Sequence, residues 1–180
     1  MQVYLSLPVF QALIASLEHN PTNEDAIRAL AGGFMAYYFP RRRRWIIPPP
    51  DSQGNAMGDF VALRFFGERP SFDHIVVKVL RNDDGLVPAL NHLQTLMEPM
   101  CPRYDNCWAI FFHGLHVRFY EYNGNFPVGR RLSPLRPASE PLRNTFHVRN
   151  DSAIVHELMR LIDDQLIPRP RPAIRPMNGS

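Results

Sequence analysis

The chain has 180 residues, of which 45% are hydrophobic and 21% charged, with a formal net charge of +3. That balance excludes a disordered polymer and suits one globular domain that buries roughly 70% of its unfolded surface. No run approaches the ~20 apolar residues of a membrane span, and the mild positive charge permits an anionic partner without requiring one.

Met1 to Leu17 is apolar, carries Pro8 and Gln11, and lacks a basic leader. It reads as a helix ending near Glu18 with Ser6 as its cap, not as a signal peptide. Asn20-Pro21 breaks it. Thr22 is the expected cap of a second helix, with Asp25 at the capping-box position and Ile27, Leu30, Phe34, Met35 and Tyr38 on one face. Gly32-Gly33 weakens this helix and suggests close packing. Pro40 ends it, Arg41 to Arg44 follow, and Trp45-Ile46-Ile47 reads as a short strand.

After a polar loop, Asp59 opens a strand over Phe60 to Phe66, a turn follows, and a second strand runs from Phe72 to Arg81 as its hairpin partner. A helix spans about Leu86 to Met97, with Leu90, Leu93, Leu96 and Met97 on one face. Trp108 to Phe112, a His113-Gly114 turn and Leu115 to Tyr122 form a second hairpin. Its last strand alternates Val117, Phe119 and Glu121 against Arg118, Tyr120 and Tyr122. Asn123 to Asn150 reads as a long irregular insertion holding four prolines, five arginines and one acid. A last helix spans Ser152 to Ile167 with Ile154, Val155, Leu158, Leu161 and Ile162 inward, and 168–180 reads as a disordered Pro/Arg tail. The order predicts one α/β domain over 1–167, with a mixed sheet of about five strands flanked by helices.

Cys101 and Cys107 have no second pair and no histidine at zinc-finger spacing, so a zinc site is not expected; a short disulfide loop between them is geometrically possible, and two free thiols are the expectation. With neither a signal peptide nor a membrane span read in the sequence, an intracellular location, nuclear or cytoplasmic, is the expectation, with no membrane association. His113 and His116 lack an evident third metal ligand and read as exposed turn residues.

The chain holds 19 arginines and one lysine, and that lysine, Lys78, stands inside the apolar run Ile75-Val76-Val77-Lys78-Val79-Leu80. An unpaired ammonium gains nothing from burial, so Lys78 must reach an edge or a polar cleft. Strand alternation puts His74, Val76, Lys78 and Leu80 on one face and brings Asp59 near Lys78 or Leu80. Asp59 and Lys78 on neighbouring strands define a candidate site, or an ordinary ion pair.

With a helix, a three-strand meander, a helix and a strand, Asp59 on the second strand and Lys78 on the third, the chain resembles the PD-(D/E)XK nuclease-like superfamily. The resemblance implies that Asp59 binds Mg²⁺ or Mn²⁺ with a second acid two residues before the lysine, and that Lys78 steadies the attacking water or the developing charge. It also gives Gln94, on the next helix, a place in the site. The second-acid position is Val76, a departure that leaves Asp59 as the metal ligand. His74 has the parity of Lys78 but suits zinc or manganese better. Glu18, Glu24, Asp25 and Asp73 are the acids that could stand in.

The expectation is a nuclease-like fold with a degraded metal site, needing no cofactor and binding nucleic acid or a protein partner without catalysis. The alternatives are an active Mg²⁺- or Mn²⁺-dependent nuclease with a migrated acid, and an unrelated protein-interaction module or small accessory enzyme. Arg41, Arg42, Arg43 and Arg44 are candidate phosphate contacts, with Trp45 as a stacking surface. Arg130 and Arg131 join them if the insertion folds over the same face.

Overall fold

A computed structural model describes residues 4–47, 60–66, 69–80, 85–100 and 106–165. The helices are α1 (Pro8–His19), α2 (Glu24–Tyr38), α3 (Leu86–Met100) and α4 (Ser152–Asp164), with 3-10 turns at Tyr4–Ser6 and Arg41–Arg43. The strands are β1 (Trp45–Ile46), β2 (Phe60–Phe66), β3 (Arg69–Val79), β4 (Asn106–His113), β5 (His116–Asn123), β6 (Leu132–Pro134) and β7 (Phe146–His147). They form one seven-stranded mixed sheet in the order β1-β2-β3-β4-β5-β6, with β7 also on β5.

The sheet order follows from the connections. β1, β2 and β3 pair antiparallel as a meander, α3 carries the chain over, and β4 returns parallel to β3. A parallel return needs such a crossover, whereas β4 and β5 join antiparallel through a tight turn. Gly114 makes that turn at φ +57°, a left-handed conformation that costs glycine nothing. β4 is buried along both faces from Cys107 to Phe112, as a central strand must be.

Alternation sorts the sheet residues into two cores. Ile75, Val77, Val79, Trp108, Ile110, Phe112, Val117 and Phe119 face a layer built from α1, α2 and α4. Val76, Leu80, Cys107, Ala109, Phe111, Tyr120 and Tyr122 face α3, which contributes Leu93 and Met97. The two mid-helix glycines admit close neighbours: a Cβ at Gly32 would lie 3.4 Å from the Phe60 ring, and one at Gly33 3.5 Å from the Phe10 ring.

Several sequence expectations are corrected. Asn23, not Thr22, caps α2: its Oδ1 accepts from the Ala26 amide at 3.1 Å, while the Thr22 hydroxyl donates to Asn20. Leu7, not Ser6, precedes α1, and Pro8 at the first helical position supplies the start signal. The buried face of α4 includes His156, Met159 and Asp163 besides Val155, Leu158 and Ile162. The insertion at 123–150 is not wholly irregular, since β6 and β7 pair with successive stretches of the β5 edge and cover it. Cys107 is disulfide-bonded rather than free; the chain's other cysteine, Cys101, lies outside the described residues. The intracellular expectation accordingly takes no support from the cysteines. Among the described residues no helix is long and apolar enough to cross a membrane. The tail at 168–180 lies outside the described residues.

Candidate functional site

The β2–β3 hairpin places Lys78 where alternation puts it, half-buried between Val77 and Val79, on the sheet face shared by Val76 and Leu80. Phe60 pairs with Val77; Asp59, expected one step further on, lies outside the described residues. Ala62 pairs with Ile75 and Leu63 with Asp73, so β3 carries an extra residue, His74, at a bulge, and a second register shift follows between Leu63 and Phe65. Counting alternate residues back from Lys78 therefore stops being a guide at His74.

The second-acid position offers no ligand. Val76 is fully buried in the cluster that includes Leu93, Met97 and Ala109, and hydrocarbon has no electron pair for a hard cation. Glu18, Glu24 and Asp25 belong to α1 and α2, in the layer over the opposite face of the sheet from Lys78. Glu18 is moreover paired with Arg149 at 2.6 Å. Gln94 is half-buried on α3 in the stripe of Leu90 and Met97. Among the described residues no three His, Cys, Asp or Glu side chains are placed to hold a metal ion. Asp59 and the side chains of Asp73 and His74 lie outside the described residues.

The arginines do not gather. Arg41–Arg44 lead into β1 at one edge of the sheet, and Arg130 and Arg131 lie before β6 at the other. Five strand spacings separate those edges, roughly 24 Å, so the two groups do not form one surface. Arg131 pairs with Glu98 at 2.6 Å and also donates to the Phe126 carbonyl. Trp45 is not a stacking surface, because its ring is 1% exposed. Its indole N–H donates to Asp163 Oδ1 at 3.0 Å, and Arg64 lies over its ring at 5.1 Å. Asp163, itself buried, also accepts from Arg43 and, at 2.9 Å, from Arg160. Arg41, Arg42 and Arg44 stay exposed and join no ion pair among the described residues.

A second constellation lies on the Lys78 face. Register pairs Lys78 with Phe111 and Phe111 with Arg118, so the two cations flank one phenyl ring across three strands. Strand spacing sets their Cα atoms about 10 Å apart. Past Phe111 the sheet opens into a cavity of about 380 Å³ lined by Leu80, Phe111, His113, His116, Arg118 and Thr145. Its fourth wall comes from the insertion. Arg143 donates to the Thr145 carbonyl at 3.0 Å, pairs with Glu140 at 3.1 Å and grips Asp151. Asp151 accepts in addition from the His147 amide at 2.6 Å. The Asp151 carboxyl is held below the usual range by that amide and by Arg143, against its own desolvation.

Within the cavity, Arg118 Nε donates to Thr145 Oγ1 at 2.8 Å, and the Thr145 hydroxyl passes its proton toward Asn144 Oδ1 at 3.2 Å. Arg118 also reaches the Tyr120 hydroxyl. No carboxylate pairs with Arg118 among the described residues. His116 packs edge-on to His147 at 5.3 Å. Burial, then His147, His113 and Arg118, push its proton affinity below the ordinary value of 6.5, and Asp151 opposes them. Reading the sequence singled out His113 and His116 and put Arg118 on the face of Tyr120. It missed Thr145 and His147, which come from the insertion.

No family model, no curated protein and no solved structure matches the chain.

Proposed function

We propose that the chain is a nuclease-like fold from which metal catalysis has been lost, and that it acts by binding, with nucleic acid held along the Arg41, Arg42 and Arg44 edge. The observation that carries this reading is Val76: the position for the second metal ligand lies wholly inside an apolar cluster. The antiparallel meander, crossover helix and parallel return, with Lys78 on the third strand, are the arrangement that the resemblance implies. A protein partner is the second reading, favoured by the dispersal of the arginines into internal pairs on Asp163, Asp151, Glu18 and Glu98.

The test is calorimetric titration of Mg²⁺ and Mn²⁺ into wild type and Asp59→Ala, with binding and cleavage assays on single- and double-stranded DNA and RNA at several salt concentrations. The expected result is no metal heat, no cleavage, and duplex binding whose salt slope falls by about 2–3 when Arg41, Arg42 and Arg44 become Gln. Metal binding lost in Asp59→Ala together with cleavage would establish the active nuclease instead. Absence of any nucleic-acid binding would leave the protein partner as the reading.

A further inference from the structure

We propose that the cavity between the β4–β5 turn and the insertion is a binding site for the terminal phosphate of a phosphomonoester. Three observations converge. Arg118 is a half-buried, permanently charged group whose described partners are hydroxyls, so its charge is solvated but not neutralised. His113 and His116 face each other in register across the turn and add two imidazoles at the same mouth. The nearest acid felt by His116, Asp151, is already committed to Arg143 and to the His147 amide. Among the described residues the charge lining the cavity is therefore positive, with donors from both β4 and β5.

A phosphomonoester matches that arrangement better than a carboxylate does. It carries close to two negative charges near neutral pH and three terminal oxygens, enough to engage a guanidinium and two imidazoles together. Arg118 is preorganised for it: Thr145 fixes the guanidinium through Nε, and Arg143 fixes Thr145 through its carbonyl. This leaves Nη hydrogens of Arg118 to point at an oxyanion. The cavity, at about 380 Å³, has room for more than a bare ion, and Leu80 and Phe111 give the attached organic group an apolar wall. Asp59 and Val76 take no part, so the inference stands whether or not the nuclease-like reading does.

The phosphate could belong to a free nucleotide or to the phosphorylated end of a strand. Calorimetry and histidine-resolved NMR on the full chain distinguish them, using inorganic phosphate, adenosine monophosphate, adenosine, and a short oligonucleotide with and without a 5′-phosphate. The phosphorylated probes should bind and shift the His113 and His116 ring signals, while adenosine and the 5′-hydroxyl strand should not. Arg118→Gln should weaken binding at least tenfold and His113→Gln several-fold. His113 is exposed, so its variant keeps the test valid if Arg118→Gln fails to fold. Tighter binding of the monophosphate identifies the small-molecule source, and tighter binding of the phosphorylated strand identifies the strand end. Equal binding of adenosine and its monophosphate, unmoved histidine signals, unchanged affinity in folded variants, or no binding of any phosphorylated probe would each overturn the proposal.

Discussion

Two cationic groups on different strands of the sheet each flank a buried aromatic ring and differ in what answers the charge. Beside β1, Arg43, Arg64 and Arg160 surround Trp45, and the carboxylate of Asp163 sits among them. Past β5, Arg118 and two histidines surround Phe111, and the partners are the hydroxyls of Thr145 and Tyr120. Where a carboxylate answers the cations, it offsets part of their charge inside the fold, and the cluster holds β1 against α4. Where hydroxyls answer them, the fold orients a charge without cancelling it. A half-buried arginine is thus read by its partner: an acid marks a brace, and hydroxyls alone leave its charge available, as the proposed phosphate site requires.

The sharpest way to break that contrast is Asp163→Ala. Arg43 and Arg160 would each lose their nearer carboxylate and keep only Asp164, at 3.8 and 3.4 Å, while the buried indole N–H would lose its acceptor. Both guanidinium groups are more than one-third exposed, at 39% and 37%, so water recovers part of the loss. A destabilisation of about 3 kcal/mol is expected, read as a lower urea midpoint with an unchanged slope. A loss below about 1 kcal/mol would make the Asp163 cluster no more structural than the cleft.

Burial lowers the proton affinity of a histidine in each half. Tyr38, its hydroxyl proton held tightly by burial and by the neighbouring Tyr4 and Tyr37, shares a 2.7 Å hydrogen bond with His156 Nδ1. His156 is 5% exposed, and burial and then Arg160 push its proton affinity below 6.5. The unfolded chain then takes up this proton at a higher pH than the folded one. The stability from neutral His156 is full above about pH 6.5 and is lost as pH falls below it. His116 contributes in the same direction. His156→Leu should cost about 2 kcal/mol at neutral pH by leaving the Tyr38 hydroxyl without its hydrogen-bond partner. Thermal melts of this variant should fall less steeply from pH 7.5 to 5.5 than those of wild type. Phosphate should lessen the remaining fall by favouring protonated His116. A slope identical to wild type would remove His156 from the acid response.

Local patterns in the sequence carried most of the sheet. The apolar runs at 75–80 and 107–112 and the alternation at 117–122 indicate strands and their faces, because each signal repeats over several residues. β6 and β7, with three and two residues, are too short to repeat anything, so the insertion read as irregular. The bulge at His74 was invisible because an extra residue changes register, not composition. Trp45 was read as a stacking surface from its place beside four arginines, yet its partner Asp163 lies 118 positions away. Arg118 and Thr145 are 27 positions apart and meet because β7 pairs with β5, setting Phe146 against Val117, while Arg143 holds the Thr145 carbonyl. Long-range partnership decides which arginines are braces, and no local pattern encodes it.

The weakest brace bounds the contrast from below. Arg149 lies on the insertion side of α4 and donates Nε and Nη2 to the two oxygens of Glu18 on α1, at 2.6 and 3.1 Å, and Nη1 to Gln11 at 3.1 Å. The geometry is bidentate, but the two side chains are 34% and 42% exposed, so solvent screens the pair. Arg149→Gln should therefore lower stability by only about 0.5 kcal/mol in low salt, with the difference shrinking further near 1 M salt. Urea melts at both salt concentrations read this directly. A loss that approached the Asp163 effect and ignored salt would mean that exposed pairs also hold this fold, and the answering carboxylate, rather than burial, would alone define a brace.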